Sequence, residues 1–273
     1  MNKIKIASLL ISAVMCCQMF VSCGEKKADD NTAETTTQTA ESSDVNGMNP
    51  VFDGNSEDDI YDSDACVERI LAETGSMNKS DAPLSLGGYG ELVSPKEDAE
   101  DAELGSYYVS DNGIKLYFSE EDFPKELILT LEQYFIALEN ADFELYTRCI
   151  LPDYYDRMEE FLAKDYDYDM KTSFAKQCAN LADIMNGSFR ITRIKLDKAP
   201  KYSEEIDNLE AYFGNLDEIF GTDYYSTVKE STDNFYDGEF FVMAEGKNGE
   251  ESLVVSGYEI VFAEKDGRYY VFG

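Results

Sequence analysis

The chain has 273 residues, of which 43% are hydrophobic and 13% aromatic, enough to bury the core of one or two domains. Its 56 Asp and Glu outweigh 23 Lys and Arg for a formal charge of −33, which repels phosphate backbones and anionic headgroups and argues against nucleic acid or charge-driven membrane adsorption. There is no His and no Trp, so a Ser-His-Asp triad and a His-ligated zinc site are excluded.

The chain begins MNKIKIASLLISAVMCCQMFVSC, with Lys3 and Lys5 ahead of an apolar run from Ile6 to Val21. That run is short for a membrane-spanning helix and has the length of a secretory h-region. Ser22, a small residue, stands directly before Cys23, and Gly24-Glu25-Lys26-Lys27 follows. This arrangement resembles the lipobox of bacterial lipoproteins. It departs from that pattern at Phe20, where the family prefers Leu. Cys16 and Cys17 fit it less well, because Met15 and Cys16 precede them. The resemblance implies cleavage between Ser22 and Cys23 and a diacylglycerol on the Cys23 thiol. The partner would be the lipid bilayer, with the protein on the outer face of the cytoplasmic membrane. Residues 1–22 are then a signal peptide and contribute nothing to the fold.

From 23 to 105 the composition suggests a disordered linker, which the lipobox resemblance implies is lipid-anchored through Cys23. Residues 24–105 hold 21 acidic against 5 basic residues, and ADDNTAETTTQTAESSDVNGMNP has no apolar periodicity. Within DACVERILAE (64–73), Val67, Ile70 and Leu71 fall at helical spacing and suggest a transient helical turn. DGNSEDDIYDSD (53–64) has the acids of a calcium loop without its Gly at position 6 or Glu at position 12, and reads as solvated linker.

Folding signals become dense from 106 to 273. SYYVS-DNG-IKLYFS predicts a hairpin, and Ser119 followed by acids and Pro124 predicts a helix start. Leu127, Ile128, Leu131, Phe135 and Leu138 mark one face of a helix to about Glu139. Asn140-Ala-Asp142 predicts a kink, Phe143 to Ile150 a short helix, and 153–164 and 168–186 two more, the last ended by Asn186-Gly187. A strand at 189–196, a helix at 204–220 and strands at 223–230, 239–245, 252–264 and 268–272 follow, the last three joined by Lys-Asn-Gly and Lys-Asp-Gly turns. Helices first and a mostly antiparallel sheet afterwards make this an α+β domain with helices packed on one sheet face.

A long helix ending in ALENADFELYTRCILPDYY, then helices, then a closing sheet resembles the cone-shaped fold of nuclear transport factor, ketosteroid isomerase and SnoaL-like proteins. The inserted helix at 204–220 departs from its simplest form. The resemblance implies a curled sheet around a pocket and suggests Tyr134, Tyr146, Tyr258 and Tyr270 as its lining. Ordinary core packing explains such tyrosines as well. It supplies no catalytic residue, and no metal or cofactor is called for. Cys149 and Cys178 fall on neighbouring predicted helices, so they are open to a disulfide or to staying buried thiols. Three functions are left: a tethered non-catalytic module binding a small ligand or an envelope protein; a lyase or isomerase for a small carbonyl compound; and a solute-binding lipoprotein. The sequence leaves the oligomeric state open.

Overall fold

A computed structural model describes residues 50–52, 61–96, 102–203 and 205–272. Ser22, Cys23, residues 24–49, most of the acidic run at 53–64 and residues 97–101 lie outside them. The architecture is α+β: helices pack on the concave side of one curled, six-stranded, cone-like sheet of order β1 to β6. The strands are β1 (Tyr108–Val109), β2 (Lys115–Tyr117), β3 (Phe189–Lys198), β4 (Asn234–Gly246), β5 (Glu251–Lys265) and β6 (Arg268–Val271). All neighbours run antiparallel except β2 and β3, whose parallel register pairs Leu116 with Ile194. Register shifts at Ile191/Arg193 in β3 and at Phe240/Val242 in β4 are bulges, which add local twist and bend the sheet. Alternate β4 residues Phe240, Val242 and Ala244 point inward and are buried.

Among the helices, α1 is Ser63–Thr74, α2 Lys125–Asn140, α3 Phe143–Cys149, α4 Pro152–Asp165, α5 Met170–Ile184, α6 Asn208–Phe220 and α7 Tyr224–Ser231. The apolar stripe expected on α2 is buried. So are Leu129, Thr130, Glu132, Tyr134, Ala137 and Glu139, because α2 is enclosed on the sheet side and on the helix side. Helix α2 starts at Lys125, with Pro124 before it and no side-chain cap. Ser119 instead closes the preceding turn, its carbonyl accepting from Asp122 N and Phe123 N. At the kink, Ala141 adopts the left-handed region (φ 51°), and Asp142 caps α3 by accepting from Leu145 N at 2.9 Å. Gly238 on β4 permits a close approach: a Cβ there would stand 2.7 Å from Leu196 Cδ1 and 3.1 Å from Asp197 O.

Two expectations need correction. The segment at 223–230 is helix α7 rather than a strand. Its aromatic and β-branched residues favour a strand, but Asp223 accepts from Ser226 N at 3.1 Å, and Tyr224 and Val228, four apart, both reach the core. Helix α7 folds back on α6, where Phe213 and Tyr225 stack at 4.5 Å.

The second correction concerns the domain boundary at 106, which falls too late. Helix α1 lies on α5 with Cys66 and Ile70 wholly buried, and Phe52 is buried against Phe189 at 5.6 Å. From α1 the chain continues as an arm. Lys171 Nζ donates to Thr74 O at 3.0 Å and Met77 O at 2.5 Å, and Lys79 pairs with Asp156 at 2.5 Å. Ser80 N donates to Thr147 Oγ1 at 3.0 Å. The arm then pairs with β1 through antiparallel bridges at Tyr89–Ser110 and Val93–Tyr107, and the Tyr89 ring meets Tyr108 at 4.6 Å. Composition misses this because the anchoring side chains, Phe52, Cys66 and Ile70 among them, are spread through an acidic stretch, although each buried Phe or Ile contributes about 1.5–3 kcal/mol.

Candidate binding cleft

Three of the four tyrosines that would line a pocket inside the cone are packed against other aromatic rings. Tyr134 and Tyr146 are buried side by side, ring centroids 5.5 Å apart, and share Gln177: the Tyr134 hydroxyl donates to Gln177 Oε1 at 3.0 Å, and Gln177 Nε2 donates to the Tyr146 oxygen at 3.5 Å. Tyr258 packs on Phe240 at 5.6 Å, Phe240 on Phe135 at 5.5 Å, and Phe135 edge-on to Tyr134 at 5.3 Å. This aromatic chain links three of the four tyrosines through the core. Tyr270 is elsewhere, half-buried on β6.

Tyr270 belongs to a cleft of about 110 Å³ between the arm and the domain. Helix α2 contributes Glu126 and Thr130, and the α3–α4 junction contributes Thr147, Arg148, Ile150 and Pro152. The β5–β6 turn and β6 supply Gly267, Arg268, Tyr269 and Tyr270. The arm closes the outer side with Ser80, Asp81, Ala82, Leu84 and Leu86. Ile150 bridges Val271 in parallel, which ties the α3–α4 junction to β6 and sets these walls relative to each other.

Two guanidinium groups face the cleft in different states. Arg148 pairs with Glu144 and donates from Nε to Ser80 Oγ at 3.3 Å, so it holds the arm. Arg268 is exposed and has no ion-pair partner among the described residues; the same holds for Glu126 and Asp81. Among the described residues the cleft therefore offers one cation and two carboxylates without an ion-pair partner.

Among the described residues two carboxylates, Glu132 and Glu139, are buried, and neither lines the cleft. Glu139 accepts from Ile191 N at 2.7 Å, tying the end of α2 to the start of β3, and burial pushes its carboxyl up to about 7. Glu132 accepts from Ser110 Oγ and from Asn112 Nδ2 at 3.2 Å, supporting the β1–β2 turn from below. Its Oε2 has no partner, and burial raises its pKa as well. A desolvated carboxylate facing a tyrosine in an enclosed apolar space, the arrangement an isomerase-type site needs, is not formed at the cleft by these groups.

Cys66, Cys149 and Cys178 are all buried and free. Burial raises the thiol pKa of Cys149 and of Cys178, and for Cys178 the neighbouring Cys66 adds to the effect. Asp169 caps α5, accepting from Thr172 N at 2.8 Å. No cluster of three or more metal-ligating side chains occurs among the described residues.

Of the four tyrosines suggested as pocket lining, only Tyr270 reaches the cleft. Arg148, Arg268, Thr130, Thr147 and Tyr269 were missed because they come from separate segments, each unremarkable alone. The one hint is Arg268 directly after the Lys-Asp-Gly turn, a cation fixed at a strand start in an acidic chain.

No family model matches the chain, and no curated protein or solved structure is detectably similar to it.

Proposed function

We propose that the chain is exported, cut before Cys23 and held through acylated Cys23 on the outer face of the cytoplasmic membrane, where its domain serves as a non-catalytic binding module. The address is supported by the leader, the Ser22–Cys23 boundary and the polar stretch after it. Replacing Cys23 with Ala should move the protein out of the membrane fraction and abolish labelling by fed palmitate; unchanged membrane partitioning would end this part of the reading.

The binding reading is carried by the cleft with its unpartnered Arg268. Its volume lies well below the roughly 300 Å³ at which sites for drug-sized ligands begin, so it suits a small molecule. A lining that includes Arg268, Glu126 and Asp81 suits a ligand bearing both a carboxylate and an ammonium, such as a free amino acid or a peptide terminus. The test is a thermal-shift screen of the chain from Gly24 against amino acids, short peptides and simple carboxylates. Stabilisation by at least one zwitterion is expected, and a screen with no stabilising compound would contradict the assignment.

A further inference from the structure

Helix α1 meets α5 in antiparallel register. Lys171, in the first turn of α5, donates to the carbonyls of Thr74 and Met77 at the last turn of α1. From that contact, Cys66 is eight residues back along α1 and Cys178 seven residues forward along α5. At ~1.5 Å per residue these are climbs of about 12 and 11 Å, so the two cysteines lie level. The far end keeps the same register: Asp183, near the end of α5, is close enough to Tyr61, just before α1, to act on its phenol electrostatically. Both cysteines are wholly buried. On α1, Cys66, Ile70 and Thr74 form the single buried stripe. On α5, Cys178 stands among Ala175, Ala179 and Ala182, all buried, and such small side chains let two backbones approach closely. Cys149 sits at the end of α3, beside the Ile150–Val271 bridge, and has no place in this seam.

We infer that Cys66 and Cys178 are a redox pair that closes to a disulfide in an oxidising environment and fastens the N-terminal arm to the domain. The closure is a thiol–disulfide exchange. One cysteine, as thiolate, attacks an exogenous disulfide and expels one thiol; the second cysteine then attacks the mixed disulfide and expels the other. The Sγ–Sγ bond forms, both cysteine protons are released, and the two electrons reduce the carrier disulfide to two thiols. With the thiols buried, exchange occurs during folding or when α1 lifts from α5. In the chain such a link would join the tether side of the protein to the core. That it closes in the cell rests on the extracytoplasmic reading above; the pairing itself does not.

The test uses the full chain isolated in detergent, refolded from urea in a glutathione redox buffer, alkylated, digested and analysed by mass spectrometry. The expected product is a Cys66–Cys178 cross-linked peptide about 2 Da lighter than the sum of its reduced halves, with Cys149 alkylated. Cys149→Ser should still form it, and reduction should lower the melting temperature of wild type and Cys149→Ser alike. Cys66→Ser and Cys178→Ser should form no cross-link and lose that redox dependence. A Cys149–Cys178 peptide, or Cys66, Cys149 and Cys178 all alkylated in oxidising buffer, would overturn the pairing. The same digest on protein taken from intact cells separates the two readings: a pair that cross-links in vitro and stays reduced in cells removes the extracytoplasmic address and leaves the pairing standing.

Discussion

The space under α2 and the space between α2 and the arm share that helix, yet one is closed and the other open. Under α2 the sheet curls as a cone does, but Tyr134, Tyr146, Phe135, Phe240 and Tyr258 occupy the interior in continuous ring contact. Beyond α2, the wall is an arm held by the polar contacts of Lys79, Ser80, Arg148 and Lys171 and by its bridges beside β1, with room left behind it. In this chain the open space is bounded by the arm and not by the curl of the sheet. The difference also separates the charges: the carboxylates in the closed region are buried and hydrogen-bonded, whereas those of the cleft have no ion-pair partner among the described residues.

The largest effect that sharpens this contrast is expected at Glu139. Its carboxyl is raised from 4.5 to about 7 by burial, so between these values the folded state holds a proton that the unfolded state has lost. Stability from this group is therefore lost as pH rises from about 4.5 to 7, and the full cost, on the order of 3 kcal/mol, is present above 7. Glu139→Gln keeps an acceptor for Ile191 N without the charge. It should be the more stable protein at pH 8, by up to about 3 kcal/mol, with the gap closing by pH 4. Denaturant melts of both proteins at the two pH values would check this; an equal gap at both would mean that Glu139 is not held in a dry interior.

A smaller effect on stability is expected on the open side. Arg268→Ala removes an exposed, unpartnered side chain, so stability should change by less than about 0.5 kcal/mol. Any thermal shift induced by a zwitterion should nevertheless be lost. A shift that survives the substitution would place binding elsewhere.

The sequence is legible where one element carries its own signal. Leu127, Ile128, Leu131, Phe135 and Leu138 repeat at helical spacing, and the Lys-Asn-Gly and Lys-Asp-Gly turns, with Gly249 and Gly267 at φ 76° and 69°, mark the closing strands. It misleads at 223–230, where strand-forming residues lie behind an Asp cap. It understates the arm: the helical spacing of Val67, Ile70 and Leu71 suggests only a transient turn, and Phe52, Cys66 and Ile70 become core because Phe189 and α5 stand opposite them. The cleft is illegible for a related reason. Its walls come from 80–86, 126–130, 147–152 and 267–270, and only the folded chain brings these together.

The central claim is that the arm belongs to the domain and builds its open wall. The most direct measurement compares the melting temperature of the chain begun at residue 50 with that of the chain begun at residue 106. The account predicts that the first melts like the full chain. The second should lose roughly 5 kcal/mol, on the order of 10–20 °C, or fail to fold, because Phe52, Cys66 and Ile70 leave the core. Two chains melting at the same temperature would contradict it.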